Sequence, residues 1–154
     1  MTDRQQQIAH KRAIQFAKNT LKQIKGIQVI QLFEQKTPQS LDELYHLYIQ
    51  EYSYDTLLEP CSKLYYQSSP EEICFWIIDT LKIAPHTKYF INYGVWTEIE
   101  ILDVKTAIQS LWSNFSAGLF LIKTDLSAIW EIGLDSRDEY HYLIDIWKNP
   151  KMIQ

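Results

Sequence analysis

Three short β-rich runs near the C-terminus constrain this chain more than any other feature. Gly118 to Thr124, Ala128 to Leu134 and Glu139 to Trp147 are separated by Asp125-Leu126-Ser127 and by Asp135-Ser136-Arg137-Asp138. Asp and Ser suit such gaps because their side chains accept hydrogen bonds from amides a residue or two further on. Connections this short join antiparallel neighbours, so the three runs are predicted to form a meander. Upstream, Trp96 to Ile101 alternates: Thr97, Ile99 and Ile101 take one face, Trp96, Glu98 and Glu100 the other. Tyr89 to Tyr93 adds a further β-rich stretch.

The first 85 residues carry a helical period instead. Ile8, Ala13, Ile14, Phe16, Ala17, Leu21 and Ile24 recur near every 3.6 residues, and Gly26 stands where a C-terminal cap belongs, which predicts a helix over 3–25. Ser40-Leu41-Asp42-Glu43 has the form of a capping box, followed by the stripe Leu44, Leu47 and Tyr48. Ser69-Pro70-Glu71-Glu72 places Pro at a first helical position, with Ile73, Trp76, Ile77 and Leu81 behind it. Tyr54 to Gln67, broken by Pro60, is predicted as one or two short helices, and Ile27 to Phe33 fits a strand or a continued helix. Asp103 is placed to cap a helix running to about Phe115. The expected fold is α+β: N-terminal helices packed on a C-terminal antiparallel sheet, the meander plus one or two further strands. Residues 1–85 are mainly helical and 86–154 mainly sheet with one helix. With four Gly and five Pro and no low-complexity linker, residues 1–154 read as a single domain.

A composition of 46% hydrophobic and 22% charged residues excludes disorder. No stretch approaches the ~20 apolar residues that cross a bilayer, so no membrane association is expected. MTDRQQQIAHKR lacks the apolar core of a secretory signal, and Cys61 and Cys74 have no CxxC spacing. A cytoplasmic location is expected. The net charge of −4 is unevenly spread: residues 1–25 carry six Lys/Arg against Asp3 alone, and the remainder sums to −9. Such a body repels nucleic acid and attracts basic partners, although an acidic surface also serves solubility alone.

Motifs for chemistry are missing. GxGxxG, GxxxxGK[ST], HExxH and GxSxG do not occur, and His10, His46, His86 and His141 are scattered, so no catalytic residue, metal ligand or cofactor is assigned. A spatial pair of Cys74 with His141 is conceivable, but Ile73-Cys74-Phe75-Trp76 is an apolar run that suits a buried thiol. Asp135 and Asp138 could hold a hard cation, or simply build a turn. Glu98, Glu100 and Glu131 could do acid–base work, or form the solvated face of a half-buried sheet.

The last third interleaves acids with aromatics. Trp96, Trp130, Tyr140, Tyr142 and Trp147 accompany Glu98, Glu100, Glu131, Asp135, Asp138, Glu139 and Asp145. Rings anchor interfaces and carboxylates steer basic partners, while strand aromatics also fill cores. On the last strand, period two puts Tyr140, Tyr142, Ile144 and Ile146 on the core side. His141, Leu143, Asp145 and Trp147 take the other. The expected partner-binding set is Glu98, Glu100, Glu131, Asp135, Asp138, Glu139, His141, Asp145 and Trp147.

The stretch from Gly118 to Gly133, GLFLIKTDLSAIWEIG, with DSRDEYHYLIDIW over 135–147, resembles the small immunity proteins that accompany bacterial polymorphic toxins, including those of contact-dependent growth inhibition. The likeness covers about a third of the chain and is one of texture rather than of a specific motif. It implies a cytoplasmic inhibitor whose acidic, aromatic face occludes a basic cognate toxin, commonly a nuclease. The basic first helix departs from a uniformly acidic plug. Two other readings stand beside it: a small enzyme or ligand-binding domain with a pocket around His141, Glu131 or Cys74, and a nucleic-acid adaptor using the basic helix.

Overall fold

Helix starts follow the local chemistry. In the computed structural model, which describes residues 2–51, 59–115 and 118–152, α1 (Asp3–Leu21) begins at Thr2. The Thr2 hydroxyl accepts from the Gln5 amide, and the Gln5 side chain accepts from the Thr2 amide. Ser69 and Glu72 make the same reciprocal pair at the start of α3 (Pro70–Leu81), and Asp103 caps α4 (Val104–Asn114) through the Thr106 amide. At α2 (Gln39–Glu51) the expected box is absent: Ser40 already lies inside the helix, Asp42 N–H donates to Pro38 O, and Gln39 bonds Glu43 instead.

Among the described residues, seven strands form one antiparallel sheet. They are β1 (Ile27–Leu32), β2 (Ser62–Tyr65), β3 (Lys88–Asn92), β4 (Trp96–Ile101), β5 (Gly118–Lys123), β6 (Ala128–Asp135) and β7 (Asp138–Lys148), in the order β1-β4-β3-β5-β6-β7-β2. The fold is α+β, and the C-terminal meander β5-β6-β7 is present. Two expectations are corrected. The sheet has seven strands, because Ile27–Leu32 and Ser62–Tyr65 add an edge at each side where a helix had been one option or the expectation. Residues 54–58 of the expected short helices lie outside the described residues. The helices are also spread along the chain rather than gathered before the sheet.

Strand alternation gives the sheet two buried faces. One carries Tyr89, Ile91, Ile99, Ile101, Leu121, Trp130 and Ile144 against α1, α3 and α4, through Ala17, Leu21, Ile77, Ile108 and Leu111. The other carries Phe90, Trp96, Ile122, Ile129 and Trp147 against α2, through Leu41, Leu44 and Tyr48. Among the described residues, α2 is the helix packed on this second face. That geometry sets the candidate site.

Gly26 ends the α1–β1 connection with φ +78, and its carbonyl accepts from the amides of Leu102 and Asp103 at 2.9 and 3.1 Å. A Cβ there would lie 2.6 Å from the Ala107 nitrogen. The residue is needed for a close approach to α4, which sequence alone reads only as a helix stop.

Candidate functional site

Most of the acidic residues singled out from the sequence, Glu98, Glu100, Glu131, Glu139 and Asp145, alternate onto one face of the sheet. Register places Glu98 opposite Phe90, Glu100 opposite Lys88, and Glu131 opposite Asp145, with His141 and Trp147 on that side of β7. This is the face over which α2 packs. Coverage by α2 separates the expected set into inward and outward groups.

The inward group corrects the expected exposure. Trp147 is 7% exposed, its ring 5.5 Å from that of Tyr48. Asp145 is 5% exposed and ion-paired with the Arg137 guanidinium. Glu131 is half-buried and accepts a hydrogen bond from the Tyr48 hydroxyl. These side chains organise the underside of α2 and the root of the β6–β7 hairpin. Glu98 and Glu100 are also half-buried, and Glu100 Oε2 lies 3.2 Å from His86 Nδ1.

Outward residues cluster where β7 begins. The two-residue turn between Asp135 and Asp138 is closed by its own side chains: Asp135 Oδ1 accepts from the Arg137 amide, and Asp138 Oδ1 from the Tyr140 amide, both at 2.9 Å. Asp138 also meets His141 Nδ1 at 2.9 Å and Lys63 Nζ at 3.7 Å across the β2–β7 pair. Glu139 is exposed. Beside it stand three tyrosines, Tyr140 at 60%, Tyr65 at 48% and Tyr66 at 39% exposed. Tyr66 N–H donates to Tyr140 O, and the Tyr65 ring lies 5.1 Å from that of Tyr66 and 6.1 Å from that of His141.

Tyr140 was expected on the core side. It does share that side of β7 with Tyr142, but the hairpin extends past the helices that would bury it. Tyr65, Tyr66 and exposed Leu134 were missed. The signal was available, since Ser62 and Leu64 alternate with Lys63 and Tyr65 at the period of a strand.

The turn carboxylates give up their protons more readily than usual. Partial burial alone would raise Asp135, but the Arg137 amide and guanidinium outweigh it and hold the group below the ordinary range. Asp138 is lowered by His141 and then by the Tyr140 amide. Both groups therefore stabilise the hairpin above the unfolded carboxylate pKa of about 4 and lose that contribution as pH falls through their lower folded values. Melting temperature is expected to fall as pH drops below about 4, and less steeply in Asp138→Asn, by calorimetric scans across that range.

A cavity of about 40 Å³ lies inside the hairpin root, lined by Gly118, Glu131, Gly133, Asp135, Leu143 and Asp145. Gly118 and Gly133 are cross-strand partners, so that pair brings no side chain into the space. Asp145 Oδ1 is buried there without a hydrogen-bond partner among the described residues. The space suits a water or two rather than a substrate.

Cys74 and His141 lie on opposite sides of the sheet and do not form a pair. Cys74 packs in the core under α4, where burial pushes its thiol up and its Sγ donates to Lys105 O at 3.8 Å. Among the described residues no three His, Cys, Asp or Glu side chains are arranged to hold a metal ion, and no helix is long and apolar enough to cross a membrane. No family model, curated protein or solved structure matches the chain.

Proposed function

We propose that this chain is a protein-binding inhibitor of the immunity or antitoxin type, acting in the cytoplasm on a basic toxin such as a nuclease. One observation carries the reading: Tyr65, Tyr66 and Tyr140 stand exposed together at one end of the sheet, beside Glu139 and the Asp135–Asp138 turn. Tyrosines supply large contact area at small conformational cost, and carboxylates around them raise the encounter rate with a positively charged surface. The turn is braced by Arg137, His141 and Lys63, so the tyrosines are presented on a stiff hairpin. The body of −9 beyond α1 favours the same class of partner.

The binding set therefore differs from the one expected at the outset. Glu139, Asp135, Asp138 and His141 remain in it with the three tyrosines, Asp145 braces the turn through Arg137, and Glu131 and Trp147 pack under α2 instead. The test is co-expression with the product of the gene directly upstream, scored by rescue of growth and by affinity of the purified pair. Tyr140→Ala is expected to weaken binding about tenfold, mainly through faster dissociation. Glu139→Lys is expected to slow association several-fold and to flatten its salt dependence. Unchanged rates in both variants would remove this end of the sheet from consideration.

A further inference from the structure

Several lysines of the body converge at one end of the sheet. Of the nine Lys/Arg after residue 25, Lys82, Lys123 and Lys148 line two adjoining hollows that share Lys123 and Trp130, whereas Lys88 alternates onto the other face opposite Glu100. Lys151 lies in the short 3-10 turn Pro150–Met152, and Met152 also lines the groove. This groove sits at the far end of β6 and β7 from the Asp135–Asp138 turn, where the C-terminus of α3 overhangs the sheet. A charge of that sign, gathered on an otherwise acidic body, is the reverse of what solubility alone would produce.

The groove is also built. Its two parts measure about 360 and 440 Å³, within the range of small-molecule sites. The rim is fixed because Asn149 N–H donates to Ser127 O at 2.8 Å and its side-chain amide to Leu126 O at 2.9 Å, tying the end of β7 to the β5–β6 loop. Lys123 Nζ lies 5.9 Å from the centre of the Trp130 ring. Trp130 lines both hollows, and its indole N–H has no protein acceptor among the described residues. Ala128, Ile146 and Met152 supply an apolar wall. Two acids oppose the lysines: Asp79 is 3.1 Å from Lys82, and Asp125 lines the groove with its oxygen turned to the Ser127 amide.

We infer that this groove binds a small organic phosphate carrying two or more negative charges. The phosphate oxygens are met by Lys123, Lys148 and the indole N–H, and the apolar part of the ligand lies on Ile146 and Met152. Ammonium groups recognise phosphate as point charges, and clustering several of them supplies the affinity that one exposed pair lacks. The inference is independent of the tyrosine cluster, which lies at the other end of the hairpin.

Calorimetric titration of the full chain with pyrophosphate, and separately with adenosine diphosphate, tests it at low ionic strength. Saturable binding is expected for both, tighter for the diphosphate ester because only it reaches the apolar wall. Lys123→Gln with Lys148→Gln is expected to weaken both by about tenfold or more, whereas Lys11→Gln with Lys22→Gln, the same charge change on α1, leaves them unaltered. Circular dichroism melts of both double variants verify that they fold. Equal affinities in the two double variants overturn the proposal, as does equal competition by sulfate. Binding of a single-stranded oligonucleotide through Lys123 and Lys148 without binding of pyrophosphate overturns it as well.

Discussion

Arg137→Ala is expected to destabilise the protein by about 3–5 kcal/mol, the usual result of leaving a buried carboxylate without its partner. Arg137 is held between Asp135 and Asp145, with side chains 12% and 7% exposed at the buried pair. Burial alone would lower the guanidinium pKa, but the two carboxylates reverse that and raise it, so it stays charged at any working pH. Removing it strands Asp145, one of whose oxygens already lacks a partner among the described residues. Arg137→Lys is expected to recover only part of the loss, because an ammonium cannot fork between two carboxylates. Asp145→Asn in the Arg137→Ala background is expected to restore much of the stability, since the amide carries no charge to strand. Chemical denaturation of the four proteins checks this. A loss under about 1 kcal/mol for Arg137→Ala would mean that the pair behaves as a surface contact.

Gly26→Ala is expected to cost about 3 kcal/mol, well above an ordinary glycine substitution. Two penalties combine. The backbone at φ +78 disfavours any side chain, and the added carbon would press on the backbone of Ala107 at 2.6 Å and Asp103 at 3.0 Å. Backbone atoms cannot step aside as a side chain can. Relief requires moving α4 or β1, which breaks the bonds from Leu102 and Asp103 to the Gly26 carbonyl. Thermal melts of Gly26→Ala beside Gly118→Ala give the comparison, because a Cβ at Gly118 meets nothing within 4 Å among the described residues and its φ is unexceptional. Gly118→Ala is expected to be nearly neutral.

The meander, the Ser69 cap and the face alternation of β4 and β7 were all legible, because each depends on neighbours within a few residues. Long-range facts were not. That Asp145 and Trp147 lie inward depends on α2 crossing their face, and nothing in residues 138–148 reports where a helix some hundred positions earlier will pack. The reverse error at Tyr140 has the same origin: alternation gives the side of the sheet, not how far along it the covering helices reach. Ser62–Tyr65 was hidden by its brevity and by Pro60, although its alternation is regular. The lysine groove was illegible for a different reason, since its members come from α3, β3, β5 and β7 and meet only once the sheet is assembled.

The strand order bears on how the polypeptide reaches this state. Both rims of the sheet come from the first half of the chain, while its middle comes from the second: Ile27 waits for Ile101, and Ser62 for Ile144. Closing such long loops is entropically slow, so refolding is expected to be slow for a chain of this size. During synthesis, β1 and β2 emerge from the ribosome well before any strand they can pair with, and in that interval their unpaired backbones are the segments most in need of a chaperone.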